Sequence, residues 1–383
     1  VIDGTGKAPL RDSSVIISGE RIQEIGPSAR IKAPSGAQVV DLTGKTVMPG
    51  IINLHGHVNG DTAAKLRTYA KYGVTSTTSL GGDTNEILKI KADESAGRLG
   101  AARVYTALQR FEPNDAIVTG EQARAEVDRL ASAGADLIKV WIDSLRGTRR
   151  KLSPEVATAA IAQAHKHGLK AFAHIYEYSD AKFVADQNVD VLAHEVRDRE
   201  VDDALIQELI AKRITVIPTL VRDQSTYIFA DSPAWLNDPL FVRLTPAEVQ
   251  ENAKTKLKDQ QAADPDSTAN RRDYELSSRN VRKMFAAGVR IGLGTDSTGG
   301  ANRFQGFYEH REMELMVDAG LTPMQVIHAF SQINSEALGI EKDYGTLAPG
   351  KIADLVVLDA NPLDNILNTR KISAVYIGGK KFD

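Results

Sequence analysis

The chain has no cysteine among its 383 residues. That absence excludes disulfides, thiolate metal ligands and a cysteine nucleophile. Charge of one sign is lacking too: 47 Lys and Arg stand against 50 Asp and Glu, a net charge of -3. This balance argues against a nucleic-acid or polyanion partner, which calls for a basic footprint. No apolar run reaches about 18 residues, so no membrane-spanning helix is expected. No GxGxxG follows the first candidate strand, so a dinucleotide site has no support. What is present, 42% apolar and 25% charged residues, is ordinary for a globular chain with a large core. The chain opens at Val1 with VIDGTG, which reads as the end of a strand and a turn. Residues before Val1 are therefore expected. A cytoplasmic location is the default, and an exported form stays open if a signal peptide was removed.

One rhythm recurs along the middle of the chain: a helical stretch, a Gly or Asn, then a short apolar run. The junctions are Gly73, Gly100, Gly134, Gly168, Asn188 and Gly288, with Arg213 in the equivalent place before ITVIPTL. A Gly or Asn just past a helix takes the left-handed conformation cheaply. With VMPGIINLHGHV near the start, this gives eight candidate strands. They are apolar nearly throughout, as strands covered on both faces of a parallel sheet are. Segments such as SPEVATAAIAQAHKH between them carry helical spacing and a Ser-Pro start signal. The expected fold is α/β, a (β/α)8 TIM barrel over residues 48–345. A doubly wound open sheet is the alternative. Residues 1–47 and 346–383 lie outside the rhythm. Strand-like segments there (SSVIIS, AQVVDLTGKTVM, KIADLVVLD, ISAVYIGGKKF) suggest one small β-domain built from both ends. Residues 221–270, polar and rich in Asp, Gln and Lys, form an insertion expected to lie over the active site as a lid or wall.

The informative residues are polar ones at the ends of apolar strands. His55 and His57 sit two apart in LHGHV, and residues two apart in a strand point to the same side. They can grip one metal ion, although two satisfied loop histidines would be spelled the same way. Lys139 interrupts the apolar LIKVW. An ammonium there must be neutral, paired or chemically altered, unless it snorkels out from the strand end. His174 in KAFAHIY and His194 in DVLAHEV each follow an alanine, and Asp296 closes VRIGLGTD. Singly, packing or capping explains each of these as well. In a barrel, however, all strand ends converge on one face, where catalytic groups sit. Imidazole and carboxylate donors without thiolate suit Zn²⁺ and other divalent first-row metals. His165 and His167 end a helix, and His310 and His328 lie in helices, so these four are expected outside the site.

On these segments the chain resembles the amidohydrolase superfamily over essentially its whole length, nearest the imidazolonepropionase-like and prolidase-like group. PGIINLHGHV is similar to the family's PGxIDxHxH motif, LIKVW to its fourth-strand lysine, FAHIY and LAHEV to its fifth- and sixth-strand histidines, and GTDS to its eighth-strand aspartate. GTLAPGKIADLVVLDANP is similar to the segment that re-enters a β-sandwich domain.

The resemblance implies a metal-dependent hydrolase with two divalent ions, zinc by expectation. His55, His57 and Asp296 would hold the more buried ion and His174 and His194 the second. Lys139, carboxylated on its side-chain nitrogen, would bridge them. It further implies hydrolysis of an amide or related C–N bond, peptide or not, by a metal-bridging hydroxide with Asp296 as general base and acid. A dipeptide or N-acyl amide is the expected substrate. The partner is thus a small molecule, neither nucleic acid nor membrane, and the family's habit leaves room for a homo-oligomer. Tyr176, Arg197, Arg222 and Tyr227 are candidate substrate contacts, an arginine being suited to a substrate carboxylate. Asn53 stands where the family has Asp, which implies altered support of the ligands rather than lost activity. Glu195 stands where a small residue is usual, and is expected to narrow the pocket or meet a cationic group. Two rivals are a one-metal deaminase, using His55, His57, His174 and Asp296 as ligands, His194 as a catalytic group and an idle Lys139, and a non-catalytic scaffold.

Overall fold

Each of the eight apolar runs contains a strand, and all pair in parallel. The structure is a computed structural model that describes residues 1–97 and 100–382. The parallel strands are β4 (Ile51–Asn53), β5 (Val74–Ser79), β6 (Arg103–Thr106), β7 (Arg110–Phe111), β8 (Leu137–Trp141), β9 (Lys170–His174), β10 (Val191–Ala193), β11 (Thr215–Ile217) and β12 (Arg290–Ile291). They form one sheet in the order β4-β5-β6 and a second in the order β7-β8-β9-β10-β11-β12. The two sheets adjoin at both margins. Residues 107–109 alone separate β6 from β7. Beyond β12, Leu54 N–H donates to Leu293 (3.1 Å) and Asp296 N–H to His55 (2.7 Å), and a parallel bridge joins Gly56 to Ser297. Helices such as Gly120–Ala133 and Pro154–Lys166 connect consecutive strands.

The junctions before the strands behave as the sequence suggests. Gly134 ends its helix at φ 97°. Arg213 takes φ 54° without being glycine, because the chain must reverse there to feed β11. Such a residue bears a modest strain that the surrounding contacts hold in place.

The chain ends meet in antiparallel sheets. The hairpin of β1 (Ser13–Ser18) and β2 (Arg21–Pro27) packs near a sheet ordered β15-β14-β13-β3. Its strands are β3 (Thr46–Pro49), β13 (Leu355–Leu358), β14 (Ile372–Ile377) and β15 (Lys380–Lys381). Ile22, Val47, Leu347, Leu355 and Val357 form their shared core, against which Val15, Ile17 and Ile25 pack. One strand expectation fails here. AQVVDL is irregular, and Val39 and Val40 are 74% and 52% exposed. Only Thr46–Pro49 of that segment finds a neighbouring strand, in β13. A strand pattern without a partner ladder leaves its N–H and C=O groups to water.

Residues 221–270 fold as short helices, from Leu220–Gln224 to Lys256–Ala262, followed by the long helix Ser267–Ala286. Despite their polar composition they carry an aromatic core. Phe229, Trp235 and Phe241 pack with Phe304, Phe307 and Tyr308, rings meeting edge-on at 5.7–5.8 Å around Phe229. The segment is thereby fastened to the chain that follows Asp296. None of the described helices is long and apolar enough to cross a membrane.

Candidate metal centre

Strand ends bring five of the six expected ligands to one cavity of about 380 Å³, whose lining includes His55, His57, Lys139, His174 and Asp296. His194 lies directly behind, fully buried, its ring 4.5 Å from that of His55 and 4.2 Å from that of His174. His55, His57 and Asp296 offer ligand atoms all within 4.8 Å of one another. Asp296 Oδ1 is 3.1 Å from His57 Nε2 and 3.7 Å from His55 Nε2. Gly56 keeps the pair close: a Cβ there would meet Thr77 Oγ1 at 2.7 Å and Tyr69 OH at 2.8 Å. His194 and Asp296 have φ of 85° and 55°, as do few non-glycine residues. Strain of this kind gathers at functional sites.

The second pair is arranged by acceptors that sequence reasoning missed. Asp143, two residues past β8 and buried, lies 3.3 Å from His174 Nε2. A carboxylate only accepts, so it places the proton on Nε2 and leaves the lone pair of His174 on Nδ1. That Nδ1 faces His194 Nε2 at 3.0 Å. Thr219 Oγ1, 2.6 Å from His194 Nδ1, accepts from it in the tautomer that turns both lone pairs inward. Two inward lone pairs are the arrangement that a cation holds together. Trp141 stacks on His174 at 4.5 Å and fixes the ring plane.

The electrostatics agree with neutral nitrogen ligands. Burial, then the nearby Lys139, push His55 well below the ordinary imidazole range despite Asp296. Burial takes His174 down to about 3 against the pull of Asp143, and burial with two neighbouring imidazoles lowers His194. These rings are already deprotonated at neutral pH, as ligation requires. Burial favours the neutral acid of Asp296, but Arg303, His55 and His57 outweigh it and hold the carboxyl well below its usual range. Arg303 Nη1 donates to Asp296 Oδ2. Lys139 is 2% exposed, and its Nζ has no hydrogen-bond partner among the described residues. Burial lowers it to about 7, with Asp296 opposing.

The four candidate substrate contacts part company. Arg222 lines the cavity, its Nε 3.9 Å from Asp296 Oδ2. Tyr176 is outside the lining and donates to Asp273 at 2.6 Å. Tyr227 is buried beneath Arg271 and against Tyr274. Arg197 is 1% exposed, donates to Asp223 (2.9 Å) and the Ile175 carbonyl (2.9 Å), and covers the Tyr176 ring. Glu195, expected at the pocket wall, is buried as well, accepting from Thr219 N–H at 3.1 Å. Burial, then the neighbouring Asp223, raise it to about 8. Arg197 thus pairs with Asp223 behind His194, a carboxylate that Arg222 also reaches at 2.8 Å. Arg197→Met is expected to cost about 1.5–3 kcal/mol in urea unfolding, the range for a lost hydrogen bond to a charged group. A loss below about 1 kcal/mol would show that Arg222 alone suffices for Asp223.

Asn53 joins the centre to its support. Its Oδ1 accepts from His55 N–H (3.0 Å) and its Nδ2 donates to Glu309 Oε1 (2.7 Å). Glu309 also accepts from Thr295 (2.7 Å) and Ser297 (2.9 Å), while its Oε2 has no partner among the described residues. Burial raises Glu309 from 4.5 to about 7. Between those values the native state binds more protons than the unfolded one, so this contribution to stability falls as pH rises. Glu309→Gln removes it. The unfolding free energy of the variant relative to the native chain is expected to rise by about 3 kcal/mol from pH 4 to 8. A pH-independent difference would overturn the assignment. The remaining histidines lie elsewhere with their own partners: His165 with Asp190, His167 with Asp128, His310 with the Tyr72 carbonyl and Thr369, His328 with the Gly4 carbonyl.

Comparison with known proteins agrees with this geometry. The imidazolonepropionase of Streptomyces coelicolor is 24% identical over 387 positions, covering 92% of this chain and 86% of that protein. The 5-methylthioadenosine/S-adenosylhomocysteine deaminase of Moorella thermoacetica is 35% identical over 85 residues, which span 21% of this chain and only 20% of the deaminase. A crystal structure from Bifidobacterium longum with a provisional prolidase assignment superposes with a TM-score of 0.83 at 26% identity, covering 99% of this chain and 92% of that one. The sequence pattern of the amidohydrolase family matches residues 46–382. With its strand-end histidines and aspartate and this fold, the chain belongs to the amidohydrolase family and is a hydrolase of that superfamily.

Proposed function

We propose that the chain hydrolyses an amide or related C–N bond of a small molecule, a dipeptide or N-acyl amino acid, at a centre for two divalent ions, zinc by donor type. His55, His57 and Asp296 would hold one ion and His174 and His194 the other, and Lys139, as its Nζ-carboxylate, would supply an anionic ligand between the two sets. In this reading the two parallel sheets are one closed (β/α)8 barrel over residues 48–345, with β6 and β7 as successive pieces of one strand along β8, and residues 1–47 with 346–383 form a β-sandwich. The observation that carries the reading is the convergence of two inward-facing donor sets with an orphaned, buried amine. Addition of CO2 to that amine forms a carbamate and releases a proton, replacing an unpaired base by an anionic ligand.

When bound, the ions supply an acidified water and a Lewis acid for the carbonyl oxygen. The chain supplies the proton path and the positioning. Asp296 Oδ1, on the cavity side, takes the water's proton as its oxygen adds to the carbonyl carbon. The C–N bond then breaks, and Asp296 returns that proton to the leaving nitrogen. Arg303 on Oδ2 keeps the carboxylate ionised and fixes its direction. Arg222, from the wall after β11, orients the substrate. Metal analysis combined with a screen of dipeptides and N-acyl amino acids tests the reading. Two metals per chain are expected, with activity falling to background on chelation and returning with zinc. Hydrolysis that survives complete metal removal would refute it.

A further inference from the structure

We propose that the substrate carries an anionic group on each side of the scissile bond, one held by Arg110 and the other by Arg222 with Arg303. The inference rests on the reading of the cavity as a site of C–N hydrolysis. Among the described residues three guanidiniums line this cavity against a single acidic side chain, that of Asp296. Among the described residues, every carboxylate that reaches them is shared between two arginines. Glu112 serves Arg110 (3.0 Å) and Arg149 (3.2 Å). Asp223 serves Arg222 (2.8 Å) and Arg197 (2.9 Å). Asp296 serves Arg303 and, at 3.9 Å, Arg222. Positive charge is therefore left over on both walls.

The donors show the same deficit. The Nε atoms of Arg110, Arg222 and Arg303 are buried without a partner among the described residues. Arg197 and Arg370 also leave a buried Nε unpaired, but neither lines the cavity. An unpaired buried donor is costly, and a guanidinium fork matches a carboxylate oxygen for oxygen. Placement completes the case. Arg110 lies on β7, in register with Lys139, and its guanidinium is held over Trp141 at 4.9 Å. Arg222 and Arg303 follow β11 and β12. Strands β8, β9 and β10 separate β7 from β11 on one side. On the other side β4 and β5 separate it from β12, β6 being the preceding piece of its own strand, which meets the start of β8 through Asp136 N–H and the Thr106 carbonyl. The cationic groups thus face each other across the cluster of histidines, Lys139 and Asp296. A cavity of about 380 Å³ holds a molecule of dipeptide size. The chemistry selected is an N-dicarboxyacyl amino acid: the carboxylate of the acyl chain meets Arg110, and the α-carboxylate of the leaving amino acid meets Arg222 and Arg303. A free α-ammonium would be repelled.

The zinc-loaded full chain should be compared on N-succinyl-L-alanine, N-butyryl-L-alanine and N-butyryl-L-alaninamide, which match in size and lose one carboxylate at a time. Each carboxylate is expected to raise kcat/KM by about 10- to 100-fold, the range for a charge-assisted hydrogen bond. Arg110→Met should collapse the succinyl-to-butyryl ratio, and Arg222→Met the acid-to-amide ratio. Arg129→Met, on an exposed helix face, should change neither. Equal rates on all three substrates, or ratios insensitive to Arg110 and Arg222, would overturn the proposal. Calorimetry with pimelate, a dicarboxylate that cannot be hydrolysed, separates the two readings. Pimelate binding that weakens in Arg110→Met and Arg222→Met without turnover of any amide supports the dianion clamp and sinks the hydrolysis. Amide turnover without pimelate binding does the reverse. Should a methionine variant misfold, the ratios in the native chain decide alone.

Discussion

Asp296→Asn is expected to lower kcat by about 10⁴-fold or more at saturating zinc. Loss of general base catalysis accounts for about 10²–10⁴, and a neutral amide is also a poorer partner for a cation than a carboxylate. The geometry makes this residue hard to replace. Its Oδ1 lies 3.1 Å from His57 Nε2 and 3.7 Å from His55 Nε2, while Oδ2 takes Arg303. Among the described residues no other side-chain carboxylate lines the cavity, so no second carboxylate stands ready to take the proton there. An asparagine keeps the shape, and its carbonyl can still accept from Arg303, which limits the effect on folding. Zinc titration of the variant separates the two losses. A raised zinc requirement with kcat restored at saturation would mean that Asp296 acts as a ligand alone. A kcat within tenfold of the native chain at saturating zinc would remove Asp296 from the proton path altogether.

What the sequence disclosed depended on whether a residue's role was local. The candidate ligand positions were legible because each polar side chain ends an apolar run, and a parallel sheet sends all such ends to one face. Lys139 stood out for the same reason. Asp143, Arg303 and Arg110 carried no such mark. Asp143 meets His174 across 31 residues of chain, and no pattern within either segment forecasts that approach. Arg197 misled because its spacing after His194 suggested a side chain facing the pocket. Asp223, 26 residues further on, draws it into the interior, a pairing set by the docking of the helices after β11. The same docking explains residues 221–270. Their charged residues dominate the composition, but Phe229, Trp235 and Phe241 decide the packing. Asn53 fell between these cases. Its departure from aspartate was visible, and its meaning became clear only with Glu309, which needs a donor where an aspartate would oppose it with a second negative charge.

Lys139→Met should move activity and stability in opposite directions. The methionine side chain fills similar space and removes an amine that has no partner in a site 2% exposed. In the metal-free chain the native amine is held near 7 against an ordinary 10.5. Between those values the unfolded state binds more protons, so native stability rises with pH and the cost is borne at pH 7 and below. The metal-free variant is therefore expected to be more stable by about 2–5 kcal/mol at pH 7, an order-of-magnitude figure from the size of that shift. Activity should fall by about 10³-fold, in line with loss of a bridging anion and one ion. Metal content should drop from two ions to one. A side chain retained at a cost to folding is one retained for what it does. Preparing the native chain without CO2 should reproduce the metal loss and leave it reversible by bicarbonate. A carbonyl signal from ¹³C-bicarbonate on Nζ would report the adduct directly. If Lys139→Met instead keeps native activity with one ion per chain, the arrangement is that of a one-metal deaminase. His194 then acts on the substrate rather than as a ligand, and His174 joins His55, His57 and Asp296 around the single ion.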